Sequence, residues 1–202
     1  MLRDGESLHH GPMTETSGRV EVIAGPMFAG KTEELLRRVR RASIAGRRVV
    51  IVSHALDTRA GGQRVASHAG LDAPSRKVAS AAEIEASMGD EAPDMLAIDE
   101  AHFFGPELVP VVGDLAARGM VVVVAGLDVT FEGRPFEPMP SLMALAEQVE
   151  KLTSICVVCG ADAIYHTRVA STPSADPRLV TENVGGLETY QARCRRHFEG
   201  PG

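Results

Sequence analysis

Residues 25–32 read Gly25-Pro26-Met27-Phe28-Ala29-Gly30-Lys31-Thr32, the pattern G-x-x-x-x-G-K-T. Glycine at both ends of the first six lets the backbone turn tightly, so that successive N–H groups converge on one bound phosphate. A helix that starts at the end of such a turn adds the positive pole of its dipole. The lysine then reaches the β- and γ-phosphates of a nucleotide, and the threonine hydroxyl can ligate Mg²⁺. This meaning holds only between a strand and a helix. Val20-Glu21-Val22-Ile23-Ala24 is a β-rich run before the motif, and residues 33–45 place Leu35, Leu36, Val39 and Ala42 at helical spacing after it. A glycine-rich turn ending in Lys-Thr by chance would lack that order.

Working outward, the partner acid comes next. Met95-Leu96-Ala97-Ile98 is an apolar run ending in Asp99-Glu100. A strand that delivers an acid to the carboxyl edge of a sheet is what a phosphate loop needs beside it, because that acid holds Mg²⁺ through water. Asp99 suits this role. Glu100 points elsewhere and can face the γ-phosphate as a general base. An exposed acidic turn is the plainer alternative, but a phosphate loop of this quality favours the functional one.

The remaining pattern predicts the fold class. Gly46 is a C-cap candidate and residues 47–52 read as a strand; residues 80–88 read as a short helix with Ser80 as N-cap and Glu83 closing a capping box. Residues 106–118 form a helix closed by Gly119, and the unbroken β-branched run 120–125 suits a strand covered on both faces. Residues 141–152 are expected to be an amphipathic helix, with Leu142, Leu145, Ala146 and Val149 on one face. Strands alternating with helices predict an α/β domain with a mostly parallel sheet between two helical layers.

Composition sets outer bounds. The chain has 202 residues, enough for one α/β core and a small appendage, and its formal net charge of −6 argues against a dedicated nucleic-acid binder. The apolar run 120–127 is far too short to span a bilayer. Residues 1–17 are polar and read as a disordered extension, and a cytoplasmic protein is expected. Arg37, Arg38, Arg40, Arg41, Arg47 and Arg48 form a basic stretch that reads as a solvated helix face rather than a nucleic-acid patch.

Two loops and one metal pattern stand apart from the core. Residues 53–77 are polar and aperiodic, a length that is usually functional, and their Asp57 and Arg59 could by local chemistry be a simple surface pair. Residues 126–140 leave the carboxyl edge of a strand carrying Phe131 and Phe136, which either pack on the core or stack on a base. All three cysteines fall in two pairs, Cys156-x-x-Cys159 and Cys194-x-x-His197. Together they make a Cys₃His set, a common structural zinc site with no position left for a catalytic water. A redox C-x-x-C would open a helix in a thioredoxin-like unit, which is not the setting here. Between the pairs lies an insert that ends in Val184-Gly185-Gly186-Leu187-Glu188-Thr189-Tyr190; zinc at its base would fix both ends and lower the cost of ordering it as a lid.

These motifs, in this order, resemble the cellular and bacterial tetrameric thymidine kinase family. The matching stretches are residues 25–32, Asp57-Thr58-Arg59, Asp99-Glu100-Ala101-His102-Phe103-Phe104 and Gly126-Leu127-Asp128-Val129-Thr130-Phe131, with Phe136, the two metal pairs and residues 184–190. The resemblance covers roughly residues 18–198. It implies a RecA-like phosphate-loop domain over residues 18–152 and a zinc-ribbon domain over 153–199 bearing a lasso over the nucleoside. It further implies transfer of the γ-phosphoryl group of ATP to the 5′-hydroxyl of thymidine, with Mg²⁺ and a structural zinc, in a homotetramer. Glu100 would take the hydroxyl proton. Residues 25–32, Asp57, Arg59, Asp99 and His102 would serve the phosphate side of the site, and Phe103, Phe131, Phe136 and Tyr190 the nucleoside. Backbone of Thr181, Glu182, Asn183, Val184 and Gly185 would read the base edge. His102 stands where the family often has glutamine, and His197 where some members have a fourth cysteine. A RecA-class motor that grips DNA through its zinc ribbon is the rival reading; the acidic balance and the lack of a basic-aromatic strand-binding stretch count against it.

Overall fold

The computed structural model describes residues 18–57, 64–66, 72–89, 92–169 and 190–200. Six strands build the central sheet: β1 (Arg19–Ala24), β2 (Val49–His54), β5 (Arg76–Val78), β6 (Met95–Asp99), β7 (Val121–Gly126) and β8 (Gln148–Lys151), with a small hairpin of β3 (Arg64–Ala66) and β4 (Asp72–Pro74) outside it. Their order is β5-β2-β6-β7-β1-β8, and every neighbouring pair is parallel. Parallel strands need both faces covered, which is why β6 and β7 are buried from end to end.

The covering divides by the alternation of side chains along each strand. Helix α1 (Lys31–Ile44) lays Leu35, Leu36 and Val39 on Ile23, Ala97, Val121, Val123 and Ala125 of one face. The opposite face presents Val20, Val22, Leu96, Ile98, Val122 and Val124 to α2 (Glu83–Ser87), α3 (Leu108–Ala117) and α4 (Met139–Leu145). Strands β9 (Ser154–Ile155), β10 (Asp162–Ala163), β11 (Tyr165–Arg168) and β12 (Tyr190–Arg193) pair as two small antiparallel ribbons after the sheet. The α/β class with its mostly parallel sheet is as the sequence predicts. Among the described residues, no helix is long and apolar enough to cross a membrane.

Four local expectations need correction. The helix expected over 141–152 ends at Leu145, and residues 148–151 are instead β8, paired with β1 from Glu21↔Gln148 to Ala24↔Lys151. The open edge of β1 supplies hydrogen-bonding partners that outweigh the helical spacing, and the supposed apolar face divides: Leu142 is buried, whereas Leu145 is 64% and Val149 40% exposed. The region 53–77 contains the end of β2, the β3–β4 hairpin and the start of β5, a polar strand on the other edge of the sheet. The short helix starts at Glu83, not Ser80; the Glu83 carboxylate accepts the Ala79 N–H at 3.0 Å and the Ser80 hydroxyl at 3.1 Å, which bridges the turn before the helix instead of closing a reciprocal box. Arg38 leaves the solvated face. It is buried, and its guanidinium donates to Glu21 at 2.7 Å, Glu34 at 2.8 Å and Glu150 at 2.5 Å, tying α1 to β1 and β8. The polar residues 1–17 lie outside the described residues.

Candidate active site and metal centre

The phosphate loop joins β1 to α1 and takes left-handed backbone at two positions. Gly30, the residue before α1, has φ 81°, and Phe28 has φ 66°, a left-handed conformation that costs a side-chain-bearing residue roughly 1–2 kcal/mol. Gly25 is required by packing, because a Cβ there would stand 2.6 Å from the Leu152 carbonyl oxygen. No side chain caps the start of α1, so its first N–H groups face the loop, as an anion site needs. Lys31 is buried, and its Nζ donates to the Pro26 carbonyl at 2.8 Å, which folds it back over the loop.

The acid arrives from two strands away. In the sheet β7 separates β1 from β6, yet the Thr32 hydroxyl at the head of α1 donates to Asp99 Oδ2 at 3.1 Å, across the carboxyl end of β7. A hydroxyl and a carboxylate in contact at the foot of a phosphate loop are the oxygen donors that Mg²⁺ prefers. Next to Asp99, Glu100 is buried and sits at φ 51°, ψ 44°, the second left-handed non-glycine of the described residues. That turn separates the two acids in direction and starts the single 3-10 turn Ala101–Phe104.

Aromatic groups gather at the same edge. The His102 ring lies 4.3 Å from that of Phe103 and 5.0 Å from that of Phe136, centroid to centroid. His54, at the end of β2, stacks edge-on against Phe104 at 4.8 Å and tilted against Phe103 at 5.8 Å. Burial pushes the His54 imidazole below its usual range, only partly opposed by its contact with the Ala79 carbonyl, so it serves as a neutral packing group. Met27, Leu127 and Tyr190 form a buried apolar cluster on which Phe28, Phe131 and Phe136 pack. The loop after β7 therefore holds its aromatics against the phosphate loop and not against the main core. Asp57 is buried and paired with Lys77 Nζ at 3.5 Å. Arg59, Thr181, Glu182, Asn183, Val184 and Gly185 lie outside the described residues.

Three participants were not singled out from sequence. Leu127 and Asp128 lie in a stretch that carries the family resemblance, but the sequence assigns no role to either. Asp128 and Lys151 form an ion pair at 2.7 Å that spans β1 from β7 to β8, above the entrance to the phosphate loop. Lys151 was hidden inside the expected helix, so only the strand pairing reveals its direction.

The metal knuckle is built on β9–β10 and the turn after β12. Its four ligand atoms lie within 4.8 Å of one another. Cys159 Sγ and Cys194 Sγ are 3.8 Å apart, and His197 Nδ1 is 3.3 Å from Cys194 Sγ and 3.7 Å from Cys156 Sγ. A tetrahedron with the usual zinc–sulfur and zinc–nitrogen bonds has edges of about 3.5–3.8 Å, close to these three separations, so the donor set suits zinc. Although burial opposes ionisation, backbone hydrogen bonds from Cys194, Val158 and Cys159 and the His197 contact bring the Cys156 thiol down to about 5. The N–H of Ala161 works in the same direction at Cys159, but burial and the crowded sulfurs push that thiol up, a repulsion that a bound cation removes. The knuckle touches the active edge directly: Ser154 donates to the Phe28 carbonyl at 3.3 Å, and Phe28 packs on Cys156, Ala163, Ala192 and Cys194. Tyr190, on β12, stands edge-on to His166 at 5.7 Å and 6.5 Å from the Phe131 ring.

Comparison with known proteins gives a consistent result. The family model described as thymidine kinase matches residues 18–198. A thymidine kinase of Deinococcus deserti is 48% identical over 194 residues, 90% of this chain and 95% of the relative. That of Halobacterium salinarum is 50% identical over 181 residues, 89% and 93% of the two chains. A third, from Deinococcus radiodurans, is 44% identical over 199 residues, 93% and 92%.

Proposed function

This chain belongs to the thymidine kinase family, and from that premise we infer that it transfers the γ-phosphoryl group of ATP to the 5′-hydroxyl of thymidine. The observation that carries the assignment of roles is the meeting of Thr32 with Asp99 at 3.1 Å, beside a buried Glu100 turned the other way. Lys31 and the backbone N–H groups of residues 27–32 would bind the β- and γ-phosphates. Mg²⁺, held by Thr32 and through water by Asp99, would spread the charge of the phosphate oxygens. Glu100 accepts the 5′-hydroxyl proton as the 5′-oxygen bonds to the γ-phosphorus; the bond from that phosphorus to the bridging oxygen breaks, and ADP leaves.

The apolar cluster of Met27, Leu127 and Tyr190, with Phe131 and Phe136, supports a nucleoside pocket at this edge. We place Phe103 there as well, assign Asp57 and Arg59 to the phosphate and sugar side, and give residues 181–185 the reading of the base edge. The Cys₃His knuckle would hold a structural zinc. A cytoplasmic homotetramer completes the proposal, on the family's habit. A DNA-stimulated motor loses to a family match over almost the whole chain. Steady-state kinetics of Glu100→Gln test the mechanism: kcat falls by about 10²–10⁴, the usual loss of a general base. Near-normal turnover would remove Glu100 from that role.

A further inference from the structure

His102 is enclosed on all sides, its side chain 0% exposed. Its Nδ1 accepts the backbone N–H of Leu127 at 3.2 Å. A ring nitrogen that accepts carries no proton, so the neutral imidazole holds its proton on Nε2. That atom lies 3.4 Å from Glu100 Oε2. The ring thus spans two parts of the site, with its acceptor on the loop after β7 and its donor toward the acid. Close packing leaves it little freedom: Phe103 and Phe136 flank it.

We propose that His102 is a positioning residue for phosphoryl transfer, whose Nε2–H steers the Glu100 carboxylate while Nδ1 holds Leu127 in register with it. The inference rests on Glu100 being the base. Glu100 sits on a strained left-handed backbone, so an outside partner is the natural means of choosing its side-chain direction. At 3.4 Å Nε2 and Oε2 are within reach but not aligned as a hydrogen bond, as catalytic contacts often are before substrate tightens them. Leu127 belongs to the same loop as Phe131 and Phe136, so one ring sets the base and the nucleoside wall together. Glutamine can do the same, offering an acceptor oxygen and a donor nitrogen on one planar group. Leucine offers neither.

The test compares H102L, H102Q and E100Q in the full-length, zinc-loaded enzyme. H102L should lower kcat with thymidine by about 10–100-fold and raise the thymidine KM several-fold, with the ATP KM within twofold, as expected when a base is misaligned without loss of phosphate contacts. H102Q should recover most of the loss, to within about fivefold of the parent. Nitrogen-15 NMR of the parent, assigned by the signal missing in H102Q, should find the His102 proton on Nε2, a readout that holds even if H102L fails to fold. Proton occupancy of Nδ1, or H102Q as impaired as a folded H102L, overturns the proposal. If E100Q is inactive while H102L keeps kcat within about threefold, His102 loses its role and Glu100 keeps its own. Near-normal turnover by E100Q overturns the reading of Glu100 and this one with it.

Discussion

Arg38→Met should cost about 3 kcal/mol, a value that follows from what the guanidinium leaves behind. Removing one member of a buried ion pair usually costs about 3–5 kcal/mol, because its partner stays buried with an uncompensated charge. Here three carboxylates lose a partner, but not equally. Glu34 keeps Arg37, and Glu150 is 40% exposed and stays solvated. Glu21, 8% exposed, keeps only Arg19, itself 39% exposed. The cost therefore falls at the low end of the range. Methionine retains most of the apolar stem, which isolates the charge from the packing. Urea unfolding at pH 7 and fixed protein concentration measures it, and the melting temperature should drop by roughly 6–12 °C for a chain of this size. The double variant Glu21→Met/Arg38→Met removes charge from both ends and should regain about 2 kcal/mol. A loss below about 1 kcal/mol for the single variant, or a double variant no better than the single, would refute the claim that this network pins α1 and its phosphate loop to the sheet.

Three further expectations can be checked together. Removing zinc, or Cys159→Ser, should raise the thymidine KM more than the ATP KM, because Tyr190 stands four residues before the Cys194 ligand; equal effects on both would contradict the coupling. Gly133→Ala should destabilise the enzyme by about 1–3 kcal/mol in thermal unfolding, since Gly133 has φ 77° and a Cβ there would meet the Phe198 ring at 2.6 Å; an unchanged melting temperature would exclude that packing. Hydrogen bonding to Arg37, helped by Arg38 and opposed by burial, lowers Glu34 to about 2. A lowered carboxylate contributes its stability above about pH 5 and loses it as the pH falls toward 2, so Glu34→Gln should be on the order of 1 kcal/mol less stable at pH 6, after discount for the half-exposed Arg37. The gap should close by pH 2, and a gap constant across that range would count against the assignment.

What could be read from the sequence was what short range determines. The phosphate loop, the strand before it and the helix after it are contiguous, and Asp99 ends a run whose apolar character already shows burial on both faces. The metal ligands sit in two local pairs. Contacts between distant residues were opaque. Residues 142, 145, 146 and 149 have a helix's spacing, but the vacant edge of β1 turns the second half into β8, and no local signal carries that competition. Arg38 lies in a run of arginines and looks solvated until Glu21 and Glu150, 17 and 112 residues away, are brought to it. His102 was visible as a departure from glutamine and, by resemblance, as a phosphate-side residue; its two-sided contact with Glu100 and Leu127 needs the turn and the sheet edge together.

The central claim is nucleoside phosphorylation at this edge of the sheet. Its most direct test is transfer from γ-labelled ATP to thymidine, deoxyuridine, deoxycytidine, deoxyadenosine and deoxyguanosine, with single-stranded DNA as a control. The account predicts labelled thymidine monophosphate as the main product and no response to DNA. ATP turnover stimulated by DNA, with no labelled nucleotide from any nucleoside, would contradict it.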